Sequence, residues 1–261
     1  MPTPNPAWRA VVDDLRQRIA AGEWAPGERL PSTRQLTEHY QLKSHGTVTR
    51  ALSALIAAGE LITNPKAPRQ GVTVRARPKV TRDLLVGTRY AANGTEGTFE
   101  AHTNTHDVTV DVDFAIVAPP DEVREKLGLG EKDRVLRRIF RYSIQGTPHQ
   151  VMTSWMSTQI AAAAGLHIPE DEVPGKSTRA WLKEAGVKIT RTRLRLEARM
   201  PTPEEIEALS LPNEQIPVIV RSGTIFGPDY PVAVETSAVL VVADQVAYET
   251  DIEEDDEEST C

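Results

Sequence analysis

Residues 44–53 read SHGTVTRALS. If this stretch is helical, Val48, Ala51, Leu52 and Leu55 form an apolar stripe, and Gly46, Thr47, Thr49, Arg50 and Ser53 are left on the open side. Glu and Lys are the commoner occupants of an exposed helical face. Short hydroxyls, a glycine and one arginine instead let a helix N-terminus come close to a phosphate while its backbone N–H groups donate. Ser44 is the expected cap, and His45 beside it can donate to a guanine edge. Arg34 lies ahead of this stretch, and Lys66, Arg69 and Gln70 follow in the loop NPKAPRQ. The chemistry indicated is contact with duplex DNA. No nucleophile, general base and orienting acid stand at telling spacing, and no cofactor signature is present, so no catalysis is expected. His102 and His106, four apart in HTNTH, sit in poor helix material within an expected loop, so no metal site is expected. The glycosylation acceptor NGT at 93–95 has no secretion signal to go with it.

The elements around these residues follow from periodicity and caps. In NPAWRAVVDDLRQRIAAGE, Asn5 can cap a helix with Pro6 at its first position, and Trp8, Val11, Val12, Leu15 and Ile19 form one stripe ended by Gly22. A second helix is expected from Ser32, whose hydroxyl and Gln35 three residues on make a capping box, with Leu36 and Tyr40 facing inward. LIT and GVTVR read as two short strands flanking the basic loop. Three helices followed by a two-stranded hairpin, over residues 1–75, predict a winged helix-turn-helix.

The whole chain has 261 residues, a net charge of −7 and one cysteine. Two domains are expected at this length, and the single cysteine allows no internal disulfide. With no long apolar run and no leader, a cytoplasmic protein without a membrane partner is expected. The charge is unevenly spread. Residues 1–80 hold 12 basic against 6 acidic residues, a balance of +6, and the remainder holds 18 against 31, a balance of −13. A basic head on an acidic body is the layout expected when only one domain meets a polyanion. Residues 76–83 read as a linker, and residues 249–261, with ETDIEEDDEE, as a solvated acidic tail.

Between these, residues 84–248 mix strands and helices. VTVDVDFAI alternates, with Val108, Val110, Val112, Phe114 and Ile116 on one face. A short helix is expected over 119–130, a hairpin through IQGTP, helices near 157–164 and 176–186, a strand near 187–199, a helix in PTPEEIEALSL and a closing hairpin. The class is α+β, an antiparallel sheet carrying helices.

The run RIAAGEWAPGERLPSTRQLTEHY…GTVTRALSALIAAGELI…RQGVTV resembles the DNA-binding head of GntR-type bacterial transcription regulators. The second half, with RVLRRIFRYSIQGTP, GKSTRAWL and DYPVAVETSAVLVVAD, is similar to the UTRA effector domain of the HutC subfamily, whose fold is like that of chorismate lyase. Two departures stand in the head, where the family commonly has arginines and this chain has His45 and Thr49. The resemblance implies a pocket beside the strand that precedes GTP. It places Arg137 and Arg141 there on one face by period two, with Arg138 pointing away. It places Ser177 at a helix start and Arg179 where a tyrosine is common; Met152 or a neighbour replaces a glutamate often found after GTP, with Glu235 in the last hairpin as a substitute polar anchor. An arginine-rich pocket implies a phosphate- or carboxylate-bearing effector.

The function this implies is a DNA-binding transcription regulator, a repressor, acting as a homodimer on an inverted-repeat operator and modulated by a small molecule. A constitutive repressor whose second domain only dimerises, and more remotely a chorismate-lyase-like enzyme, are the alternatives.

Overall fold

The computed structural model describes residues 6–63, 71–85, 99, 107–173, 176–228 and 232–251. Two compact units are present, and the division is not a single cut along the chain. One runs up to Pro78 and also takes in Ala198–Val218; the other comprises Lys79–Glu197 and the chain from Ile219 onward. The expected division, a body running unbroken from 84 to 248, differs from this grouping at 198–218.

The first unit opens with α1 (Ala7–Ala20), α2 (Thr33–His39) and α3 (His45–Ala57). Pro6 is the N-cap of α1 rather than its first helical residue. Asn5, expected as that cap, lies outside the described residues. The α2 capping box is formed as the spacing demands, with Ser32 Oγ accepting from Gln35 N and the Gln35 side chain accepting from Ser32 N at 2.9 Å. Val11, Val12 and Leu15 of α1 meet Leu36 of α2 and Val48, Ala51, Leu52 and Leu55 of α3 in one core, closed by Trp24, Leu30, Leu61 and Val74. Strands β1 (Leu61–Thr63) and β2 (Val72–Val74) pair antiparallel. The segment before α2 extends this hairpin, Leu30 N donating to Val72 O and Val74 N to Glu28 O, both at 2.9 Å. Gly59 stands at φ +69, a conformation that favours glycine, and the Ile216 side chain packs close against it. Asn213 Nδ2 donates to Ile56 O at 2.9 Å beside it. The helix α7 (Pro203–Ala208), capped by Thr202 and Glu205, belongs to this unit.

The second unit is built on a six-stranded sheet in the order β4-β5-β6-β9-β8-β7. The strands are β4 (Val108–Val117), β5 (Val135–Ile144), β6 (Thr147–Ser157), β7 (Arg191–Arg199), β8 (Val218–Phe226) and β9 (Ala233–Val242). β5 and β6 are joined by Gln145 and Gly146, both at positive φ, the two-residue turn that matches strand twist. α4 (Asp121–Leu127) ends on left-handed Gly128, and α5 (Thr158–Ala163) and α6 (Thr178–Glu184) are capped by Ser157 and Ser177. β4 is an edge strand, so its apolar face is unevenly covered: Val112 and Phe114 pack inward, but Val110 and Ile116 are exposed.

The reading of 76–83 as linker holds only in part. Val80–Asp83 form β3, paired in parallel with β10 (Val246–Glu249). Glu249, expected as the first tail residue, closes that strand.

Candidate functional site

In the first unit, the open face at the start of α3 is assembled as its sequence dictates. Ser44 in extended conformation turns its hydroxyl back to accept from Gly46 N at 3.2 Å. His45 is exposed, and its Nδ1 lies 2.9 Å from Thr37 Oγ1, so the imidazole is steered by α2. Thr49 donates its hydroxyl to His45 O at 3.0 Å, a bond within its own helix. Arg50 rests over the Trp8 ring at 4.7 Å, a cation–π contact that fixes the guanidinium on α1. A Cβ at Gly46 would meet only Ser44 Oγ, at 3.5 Å, so nothing inside the protein requires glycine there. No acid stands in the first turn of α3, which leaves the positive end of its dipole uncompensated. Arg34 on α2 is largely exposed and pairs with Glu38 at 2.9 Å. Thr47 is half-buried. Lys66, Arg69 and Gln70 lie outside the described residues.

In the second unit, one face of the sheet carries a cavity of about 150 Å³. Its lining joins four cations (Arg82, Lys176, Arg179 and Arg221) to two acids (Glu172 and Glu235) over a floor that includes Phe140, Met152 and Val239. Period two on β5 decides which arginine shares the sheet face that carries the cavity. Phe140 and Tyr142 point to this face and are buried, and Arg138 points with them, fully enclosed. Arg138 Nη1 donates to Glu172 at 3.0 Å, and Nη2 donates to Thr178 Oγ1 at 2.7 Å and Ser154 Oγ at 3.2 Å. Ser154 in turn donates to Glu235 at 2.8 Å. This chain of bonds ties the start of α6 to the sheet. Burial pushes the Glu235 carboxyl up, against the opposing pull of Ser154 and Arg138, and burial also raises Glu172. Burial lowers Arg221 and Arg179, and in Arg221 the neighbouring Arg82 lowers it further. Arg82 Nη1 donates to Gln150 at 3.1 Å, and Arg221 donates to Leu84 O at 3.2 and 3.3 Å. Arg179 Nη2 donates to Thr192 Oγ1. Ser177 lines the cavity, but its hydroxyl accepts from Ala180 N at 3.2 Å as the helix cap.

The sequence placement of Arg137 and Arg141 in this pocket is corrected. They share the opposite face of β5, where Arg137 pairs with Asp113 at 3.4 Å and Arg141 with Asp111 at 3.0 Å. The β4–β5 register sets these partners near one another: Arg141 stands directly across from Asp111, and Asp113 faces Ile139, two residues from Arg137.

Residues 8–74 match the family described as bacterial regulatory proteins, gntR family, and residues 108–245, just over half the chain, match the UTRA domain. The chain belongs to the GntR family. A GntR-family transcriptional regulator of known structure aligns over 95% of this chain and 99% of its own, at 25% identity and a TM-score of 0.56. The structure of PhnF from Mycobacterium smegmatis, 18% identical with a TM-score of 0.52 over 93% of this chain and 99% of its own, shares the fold. Among curated proteins, an HTH-type transcriptional regulator of Streptomyces coelicolor is 28% identical over 92% of this chain and 97% of its own. The histidine utilization repressor of Pseudomonas putida is 26% identical over 86% of this chain and 84% of its own. The chain is thus a transcriptional regulator of the GntR type, HutC-like, with a UTRA domain, and regulators of this type bind DNA operators and small-molecule effectors.

Of the five GntR-family pocket residues expected from sequence, Ser177, Arg179 and Glu235 come together at the cavity and Arg137 and Arg141 do not. Four further charged residues line the cavity: Arg82 falls in the stretch that reads as linker, Arg221 has no motif around it, and Lys176 and Glu172 flank a loop. Arg138 does not line the cavity but shares its face of β5 with Phe140 and Tyr142, whose alternation with it marks that face in the sequence. Among the described residues no helix is long and apolar enough to cross a membrane. His102 and His106 lie outside the described residues.

Proposed function

We propose that this regulator is a repressor, that two copies place their α3 helices on an inverted repeat, and that a small anionic molecule in the second unit's cavity controls the grip. The observation that carries the effector reading is the make-up of that cavity. Four cations line it against two acids, and one of those acids, Glu172, is already engaged by Arg138 at 3.0 Å, so the lining carries an excess of positive charge. Guanidinium forks suit a carboxylate or phosphate, and the Phe140, Met152 and Val239 floor suits an apolar remainder. For the head, support comes from an α3 start with short side chains, no acid and an uncompensated dipole. The relative named as the histidine utilization repressor supports the sign of regulation.

Control needs only a ligand that prefers one arrangement of the two heads. A tenfold bias corresponds to about 1.4 kcal/mol, and near-complete release to about 5 kcal/mol. The test is a thermal-shift screen of phosphate- and carboxylate-bearing metabolites on the full chain. A binder at a hundred times its Kd stabilises by about 2.7 kcal/mol. The same compound is expected to shift the operator band in a gel, and Arg179→Gln to blunt both effects. A screen in which no metabolite raises the melting temperature, with operator binding intact, favours the constitutive repressor instead.

A further inference from the structure

Two features lie outside both the α3 face and the cavity: the acidic run near the C-terminus and the arginine-rich strand β7. β7 carries Arg191, Arg193 and Arg195 at period two, so the three project from one face, and Lys188 lies just ahead. All four cations are exposed. Thr192 and Leu194, between the arginines, face the cavity, which puts the arginines on the opposite side of the sheet. β7 is also an edge strand. Arg195 pairs with Glu197 at 2.8 Å. Among the described residues Arg191 and Arg193 make no ion pair and instead lie over the Phe226 ring at 4.1 and 6.0 Å. On an acidic body, this is a concentrated basic strip with little local neutralisation.

The topology brings the start of the acidic run to the same edge of the sheet. β3 and β10 run parallel, so both chains leave their pair at the same end. There Leu84 N donates to Glu249 O at 2.9 Å. The next residue, Leu85, shares a shallow depression with Arg179, Ile189 and Thr190 and with Arg191, Thr192 and Leu194 of β7, toward the cavity side of that edge strand. The chain after Glu249 therefore starts at the sheet edge that β7 forms, and it has to round that edge to reach the arginine face. Residues 251–258 read DIEEDDEE, seven acids with no Lys or Arg. Eight extended residues reach about 26 Å, and the Arg191–Arg195 strip is about 13 Å long.

We propose that segment 251–258 docks along Arg191, Arg193 and Arg195 of its own chain. Exposed ion pairs are weak one at a time. Tethering raises the local concentration of the acids to the millimolar range, so several weak pairs suffice. Docking cancels the strip's attraction for other polyanions, which confines DNA phosphate contact to the head.

The only cysteine, Cys261, lies three residues beyond the acidic run and gives a single labelling point. A fluorophore placed there on the full chain reports docking through its anisotropy. At an ionic strength of about 0.01 M, where the Debye length is about 30 Å, high anisotropy is expected. It should fall to a common lower value in about 1 M salt and in the Arg191→Glu/Arg193→Glu variant. The gentler Arg191→Gln/Arg193→Gln pair should fall partway, and Lys183→Glu, an exposed charge change on α6, should leave it high. A companion measurement is retention on heparin, which should lengthen when residues 252–261 are deleted. Equal low-salt anisotropy in the parent and both double variants, with unchanged melting, overturns the docking. Unchanged heparin retention after the deletion overturns the shielding.

Discussion

Replacing Arg138 tests the structure where three neighbouring arginines differ most. Arg138 is fully enclosed and its guanidinium meets Glu172, Thr178 and Ser154, the last of which holds Glu235. Arg138→Met keeps much of the volume but leaves Glu172 without its cation and two hydroxyls without a donor. Breaking a buried ion pair by removing one partner costs about 3–5 kcal/mol. For a domain of this size each kcal/mol moves the melting temperature by about 2–4 °C, so a fall of about 6–20 °C is expected in the second unit's transition by calorimetry. Arg137→Met removes a half-buried pair with Asp113 and Arg141→Met an exposed pair with Asp111, and each should cost no more than about 1 kcal/mol. Adding Glu172→Gln to Arg138→Met removes the stranded carboxylate and should recover part of the loss, an interaction that a double-mutant cycle reads directly. If Arg138→Met melts within about 2 °C of the parent while Arg137→Met or Arg141→Met is the damaging change, the assignment of faces on β5 is wrong.

Ser44→Ala deletes the α3 cap and should cost about 0.5–2 kcal/mol by denaturation of the head, with weaker operator binding. Gly46→Ala should stabilise the helix by up to about 1 kcal/mol, since a Cβ has room there, yet reduce operator affinity if the bare backbone is what meets phosphate; equal affinity in a gel shift would show the glycine has no such role. His149 is buried, and burial holds its imidazole down at about 4 against an ordinary 6.5. Between those values the unfolded chain binds a proton that the folded chain refuses, so this residue's contribution is complete above pH 6.5 and is lost as pH falls toward about 4. His149→Gln should remove that component from the stability–pH curve, while Glu172 and Glu235, raised by burial, contribute with the opposite sign in both proteins.

Local rules made the head legible. The Ser32–Gln35 box, the Ser44 cap and the Val48–Leu55 stripe are short-range features, and each is formed as the sequence implies. The body was legible as a succession of elements, because turn residues such as Gln145-Gly146 and caps such as Ser157 and Ser177 are also local. Its cavity was less so. Which face of β5 turns inward depends on what β6 and α6 place against it, and a one-residue change of face swaps Arg137 and Arg141 for Arg138. Arg82 was hidden for a different reason. Its strand, β3, exists only because β10, more than 160 residues later, pairs with it, and no short-range pattern announces such a pairing. The placing of Ala198–Val218 with the head has the same origin, since Ile216 and Asn213 find Gly59 and Ile56 only in three dimensions.

The measurement that bears most directly on the central claim is the salt dependence of binding to DNA from upstream of the chain's own gene, for the parent and the Arg34→Ala/Arg50→Ala variant. The account predicts a fall in affinity of at least about tenfold at low salt and a salt slope shallower by about 2, one for each lost phosphate contact, with the head still folded and destabilised by no more than about 1 kcal/mol through loss of the Arg50–Trp8 contact. A folded variant that binds the same DNA with the parent's affinity and slope would contradict it.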